Sequence, residues 1–158
     1  RSDEHDEDVA NLRIVDCLVQ VAEAAAARGV TIVLEPVNHL QVGFNHTVED
    51  VLAVVQRAGS AALRPMVDTL HMNIEERSLT AAIRMIGQSL AHVHLCESNG
   101  GEFGTGHIDF ASVMRVLDEI EYDGFASVKV YRHVKWEVGA ATASTVLTRV
   151  GQNGMSTE

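Results

Sequence analysis

Glu35, Asp68, His94 and Lys129 are ionisable residues that end, or nearly end, four short apolar runs, residues 31–37, 64–68, 91–96 and 126–131. Glutamate, aspartate and a neutral imidazole form a mixed oxygen and nitrogen donor set suited to Mn²⁺, Mg²⁺, Co²⁺ or Zn²⁺. A divalent ion chelating a carbonyl and an adjacent hydroxyl acidifies the α-proton and stabilises the enediolate, and a nearby carboxylate can move that proton. Isomerases and epimerases of sugars work this way. Asn38, His71 and Glu97 stand three residues past Glu35, Asp68 and His94 and are candidates for holding substrate hydroxyls. Lys129 could in principle act as a Schiff-base nucleophile.

The gaps between the four residues are 33, 26 and 35 positions, each fitting one strand, one crossover helix and two loops of a parallel sheet. Equivalent strand ends then gather on one face. Alternation along a strand sends successive side chains to opposite sides. Thr31, Val33 and Glu35 share a face, as do Met66 and Asp68, His92 and His94, and Ser127, Lys129 and Tyr131. The other faces are apolar, which suits strands covered by helices on one side and bordering a polar, barrel-like interior on the other. His92, one layer deeper than His94, reads as a hydrogen-bonded core residue.

Apolar periodicity gives a helix over residues 9–28, stopped by Gly29. Thr47 is the N-cap of a second helix, with Asp50 in its first turn and Gly59 at its end. Further helices are expected over 78–90, 109–120 and 139–150. The order is one helix followed by four βα units, with a domain over 1–150 and a polar tail over 151–158. Four βα units are half of a (β/α)8 barrel, whose active sites lie at the C-terminal strand ends. An α/β (βα)4 half-barrel exposes two sheet edges, so the expectation is completion by dimerisation or by a missing N-terminal half. A flavodoxin-like sheet is the alternative, but no glycine-rich phosphate loop follows a strand; the cluster Gly100, Gly101, Gly104 and Gly106 reads as a flexible loop leading into a helix.

A formal charge of −10 over 158 residues argues against nucleic-acid binding and favours cations or neutral ligands. The acidic run at residues 3–8 reads as a solvated helix start. Two cysteines, Cys17 and Cys96, are too few for a disulfide framework and point to reduced thiols in the cytoplasm. No apolar run is long enough for a membrane span and no signal peptide is visible. The chain begins with Arg1, consistent with a fragment or processed product.

The segments Leu34-Glu35-Pro36-Val37-Asn38, Val67-Asp68-Thr69-Leu70-His71-Met72-Asn73-Ile74-Glu75-Glu76, His92-Val93-His94 and Gly104-Thr105-Gly106-His107-Ile108-Asp109-Phe110 resemble the sugar isomerase/epimerase group with a xylose-isomerase-like barrel. The likeness is closest to ketose 3-epimerases of the tagatose and psicose type and covers roughly residues 15–132. The resemblance implies that Glu35, Asp68 and His94 bind a divalent metal, foremost Mn²⁺, that Glu35 doubles as acid/base, that His71 contacts the sugar, and that the chain is the C-terminal half of a full barrel.

Three positions depart from the family. Its fourth ligand and second acid/base, a glutamate, falls at Lys129. Gln41 stands where a substrate-binding glutamate is common, and Gly100 where an arginine is. An ammonium among the ligands would repel a divalent ion and could pair with Glu35 or Asp68 in its place. Two readings follow. One is a metal-dependent isomerase or epimerase of a ketose or related sugar, with Glu35 and Lys129 as the catalytic pair of positions and a lyase or dehydratase as a variant. The other is a non-catalytic remnant or interaction module with a vestigial metal site.

Overall fold

The computed structural model describes residues 6–131 and 133–154. Residues 3–5 of the acidic run and 155–158 of the expected tail lie outside the described residues. Asp6 caps α1 (Glu7–Ala26), its carboxylate accepting the N–H groups of Asp8 and Val9. Gly29, at φ +65°, turns the chain toward β1 (Ile32–Leu34). This strand is shorter than the expected 31–37. Pro36 has no N–H to give a ladder, so pairing stops at Leu34 and Glu35 stands just beyond the strand.

Helix α2 (Val48–Ala58) opens on a capping box. Thr47 Oγ1 accepts from Asp50 N–H at 3.2 Å and Asp50 Oδ2 accepts from Thr47 N–H at 3.0 Å, satisfying two otherwise orphaned donors. Gly59 closes the helix in the left-handed region. Strand β2 (Leu63–Asp68) runs directly into α3 (Thr69–Glu75), a helix the sequence pattern does not announce. Helix α4 (Leu79–Ile86) starts at the Ser78 cap and gives way to a 3-10 turn at Gly87–Ser89. Strand β3 (His92–Cys96), α5 (Phe110–Glu119, capped by Asp109), β4 (Ala126–Lys129) and α6 (Trp136–Gly154) follow. Helix α6 starts earlier than residue 139 and continues past the boundary drawn at 150.

The four strands are parallel and lie in chain order, β1-β2-β3-β4. On the helix side Val67, Val93 and Leu95 pack with Val48, Ile83, Val113, Val116 and Leu117; each such fully buried side chain contributes about 1.5–3 kcal/mol. Phe103 and Phe110 stack at a centroid separation of 4.6 Å and extend this core toward the strand ends. The opposite face carries His92 and His94, half-buried, and Thr31, Val33 and Ser127, exposed, with Met66 buried among them; at the edge strand β4 the alternation does not separate the faces, since Val128, expected on the helix side, is 41% exposed. His92 bonds to Ser127 Oγ at 3.0 Å. Strands β1 and β4 form the two edges, and Phe125, leading into β4, is 84% exposed. No helix of the described residues is long and apolar enough to cross a membrane.

Candidate metal centre and active site

Asp68 is the pivot of the polar face. It ends β2, and α3 begins at once, so the helix's first N–H groups turn back onto it. Oδ1 accepts from Leu70 N–H at 2.8 Å and His71 N–H at 3.3 Å. Oδ2 faces the other way, where Lys129 Nζ donates at 2.6 Å and His94 Nδ1 lies 3.7 Å off. The residue is 0% exposed. A buried carboxylate is tolerable only with such pairing.

Sheet register assembles the rest. Asp68 is opposite His94, and Cys96 is opposite Lys129, which brings the β4 side chain to the rim beside Asp68. Glu35, one residue beyond β1, places Oε1 3.2 Å from His94 Nδ1. One donor atom from each of Glu35, Asp68 and His94 lies within 4.8 Å of the others. The four residues singled out by strand-end position therefore converge. For Lys129, burial lowers the pKa, but the hydrogen bond and charge of Asp68, with the charge of Glu35, outweigh it and raise the pKa. A raised pKa works against the Schiff-base role, which needs a free amine at neutral pH. Its Nζ also lies 5.8 Å from the Tyr131 ring centroid.

His71 and Asn38 form a second, buried pair beside this cluster. Leu40 N–H donates to Asn38 Oδ1 at 3.2 Å, which orients the amide so that Nδ2 donates to His71 Nδ1 at 2.7 Å. With Nδ1 accepting, the imidazole proton resides on Nε2. Burial lowers the His71 pKa; Asp68 and Glu35 oppose this and Lys129 and His94 add to it. His71 is thus a neutral Nε2–H donor.

Glu97, expected among the substrate contacts, is not part of the converging group of Glu35, Asp68 and His94. It is 1% exposed, and its carboxylate is taken up by the loop that follows β3. Oε1 accepts from the N–H groups of Ser98 and Ile108, each at 3.0 Å, and Oε2 from Gly104 at 3.0 Å. The glycine cluster wraps this carboxylate: Gly104 has φ +84°, and a Cβ at Gly106 would strike Glu97 Oε1. Gly100, at φ +66°, is needed for another reason. A Cβ there would collide with the Tyr131 ring, so the ring fills the space a longer side chain at position 100 would use.

The segment from Asp68 to Glu76 also does more than place Asp68 and His71. Glu75 Oε1 accepts from His39 N–H at 2.8 Å and bonds His39 Nδ1 at 2.6 Å, while Glu76 Oε1 accepts from Val48 N–H at 2.7 Å. Helix α3 therefore clamps the loop that carries Asn38 and Gln41 to the site. Sequence reasoning assigned no role to Glu75 or Glu76; two acids closing a short polar segment were the available signal. Beside Glu35 that loop covers a cavity of about 320 Å³ lined by Ile14, Leu34, Val37, Gln41 and Phe44.

Oxygen and imidazole donors at these separations suit a hard or borderline divalent cation, and Glu35, Asp68 and His94 fit one in type and spacing. The Lys129 ammonium is the element that does not. An ion bonded to Asp68 Oδ2 would lie within about 5 Å of Nζ, where repulsion is on the order of 7 kcal/mol at an effective dielectric of about 20.

Four successive parallel βα units with carboxylates and an imidazole gathered at the C-terminal strand ends define half of a (β/α)8 barrel, seen at the end where the active sites of such barrels lie. Residues 1–150 match the family described as xylose isomerase-like TIM barrel, and the chain belongs to that family. It is 38% identical over 121 residues to L-ribulose 3-epimerase of Mesorhizobium japonicum, covering 73% of this chain and 41% of that protein. It is 33% identical over 119 residues to D-psicose 3-epimerase of Enterocloster bolteae, covering 75% and 40%. The solved structure of D-psicose 3-epimerase with D-tagatose from Clostridium cellulolyticum H10 superposes with a TM-score of 0.79 at 30% identity, covering 89% of this chain and 48% of that one. The chain spans less than half the length of these relatives.

Proposed function

We propose that this chain is the ligand-bearing half of a sugar isomerase or epimerase that moves a proton α to the carbonyl of a ketose or related sugar through an enediolate. The observation that carries this is the convergence of Glu35, Asp68 and His94 at three strand ends, in a chain whose relatives include ketose 3-epimerases. Glu35 is the acid/base, because its carboxylate stands at the mouth of the cluster and is bonded only through Oε1 among the described residues. His71 presents Nε2–H to a substrate oxygen, and Asn38 fixes that tautomer. Glu35, Asp68 and His94 are the residues that would hold a divalent ion, with Mn²⁺ the first candidate and Mg²⁺, Co²⁺ and Zn²⁺ behind it, to polarise the carbonyl and its neighbouring hydroxyl; Lys129 competes with such an ion for Asp68 Oδ2, so the enolisation reading does not depend on which cation is present. The open strand edges call for a second copy or a preceding half to close the barrel, and the two unpaired cysteines suit a reducing cytoplasm.

The test is epimerisation and isomerisation of D-psicose, D-tagatose, D-fructose and L-ribulose, followed by chromatography with Mn²⁺ or with chelator, alongside Glu35→Gln. Light scattering reports the assembly state of the same samples. Turnover lost in Glu35→Gln supports the reading; no turnover of any ketose under either condition refutes it. The Lys129–Asp68 pair favours a second reading, an interaction module with a disused site, which such a refutation would leave standing.

A further inference from the structure

We propose that Lys129 is the resident cation of this site: its ammonium occupies the free oxygen of Asp68, where a divalent ion held by Glu35, Asp68 and His94 would otherwise stand, and supplies the positive charge against which substrate oxygen charge develops. The inference deepens the enolisation reading above and rests on it for the catalytic part only.

Three observations carry it. Asp68 has a single oxygen free of the α3 N-terminus, and Lys129 Nζ takes it at 2.6 Å. Lys129 arrives there by register: His94 is paired with Ser127, and the next residue of β4 with the same facing is Lys129, at the rim. The third is charge balance, counting the imidazole as neutral. Two carboxylates and one ammonium leave one net negative charge. Adding a divalent ion beside the ammonium would leave one net positive charge, whereas an ion with a third carboxylate in place of Lys129 returns the cluster to one negative. The cluster with Lys129 thus already has the charge that an ion-loaded cluster of three carboxylates would have.

The chemistry balances without an ion. The Glu35 carboxylate removes the proton from the carbon beside the carbonyl, the C–H electron pair becomes the enediolate C=C bond, and the carbonyl pair moves onto oxygen opposite the ammonium. The hydroxyl proton of that carbon passes to the former carbonyl oxygen, its oxygen becomes the new carbonyl as the C=C pair takes the proton from Glu35 at the former carbonyl carbon, and the carboxylate is regenerated with the sugar isomerised. An ammonium within hydrogen-bonding reach is a standard stabiliser of such an oxyanion.

The experiment is calorimetric titration of Mn²⁺ into the chelator-stripped chain, Lys129→Glu and Lys129→Met. The unsubstituted chain is expected to bind no tighter than about 1 mM, with Lys129→Glu tighter by at least about 100-fold and Lys129→Met between them. Micromolar binding by the unsubstituted chain, or no gain in Lys129→Glu, overturns the proposal. If circular dichroism shows Lys129→Glu unfolded, Lys129→Met decides alone: Mn²⁺ should raise its melting temperature and leave that of the unsubstituted chain unchanged, and equal responses overturn it. The ketose assay separates the two readings. Mn²⁺ binding gained by Lys129→Glu with no turnover by either protein keeps the resident cation and discards the enzyme. Turnover by the unsubstituted chain that chelator abolishes and Mn²⁺ restores keeps the enzyme and discards the resident cation.

Discussion

Replacing Glu97 with glutamine should destabilise the chain without touching the ligand cluster. The carboxylate accepts three backbone N–H groups, from Ser98, Gly104 and Ile108, all at 3.0 Å, in a side chain that is 1% exposed. An amide of the same shape offers one oxygen and one NH₂. With its oxygen in the Oε1 position it keeps Ser98 and Ile108 as neutral bonds and sets the NH₂ against Gly104 N–H. One buried donor left unsatisfied costs about 1–3 kcal/mol, and two bonds that lose their charge assistance cost roughly 0.5–1 kcal/mol each. The amide is less costly to bury than a carboxylate, which offsets part of this, so the net loss is about 2–3 kcal/mol. For a chain of this length that corresponds to a fall in Tm of roughly 5–10 °C. Thermal melts by circular dichroism measure it, and hydrogen exchange at Gly104 and Ile108 localises it to the loop. A Glu97→Gln protein that melts within about 1 °C of the parent, with unchanged protection at Gly104, would refute the argument. So would a variant of unchanged Tm that loses only ketose binding, because Glu97 would then be a substrate contact.

Two other expectations follow from groups the fold has buried. Cys96 is wholly buried and its thiol is pushed up to about 12, by burial first and then by the charges of Asp68, Glu97 and Glu35, while Cys17 is exposed; Ellman's reagent at pH 8 should therefore label one thiol quickly and the second only as the chain unfolds, and two fast thiols would contradict the packing of β3. His71 and His92 both have pKa values lowered from the ordinary 6.5, chiefly by burial. Folding favours their neutral forms, so the unfolded chain binds more protons once the pH drops below 6.5. Their contribution to stability is complete above that pH and declines as the pH falls through it. Denaturant midpoints measured between pH 7.5 and 5.5 should fall, and His71→Gln should flatten the slope; an unchanged slope would mean His71 is not held neutral by the fold.

The ligand cluster was legible in the sequence because two independent regularities agree on it. The alternation of residues 91–96 puts His92 and His94 on one face, and the spacing to Asp68 is that of one βα unit, so strand-end position follows from pattern alone. Thr47, Asp50 and Gly59 were legible for a similar reason: each satisfies a local backbone requirement that only a few residue types can meet. Helix α3 was not, because its start signal is Asp68, a residue that reads first as a strand end and a ligand; one carboxylate serves both uses with different oxygens, and a sequence does not show oxygens. The backbone partners of Glu97 were not legible for the opposite reason. Its position three past His94 is right for a rim contact, but its partners are backbone N–H groups up to Ile108, and backbone donors carry no residue type to recognise. The length of β1 was set by Pro36, whose missing N–H outweighs the apolar run around it.

The division of Asp68 between its two oxygens gives the molecule a mechanical linkage. Oδ1 is the first hydrogen-bond anchor of α3, and α3 carries His71 and Glu75, which grip the loop bearing Asn38 and His39, while Glu76 just past its end holds the first N–H of α2. Whatever cation sits on Oδ2 therefore pulls on the same rigid carboxylate that seats the helix. The cation at the centre and the loop beside the Glu35 cavity are thus coupled through a single side chain, one oxygen holding the charge and the other seating the helix that fastens the loop.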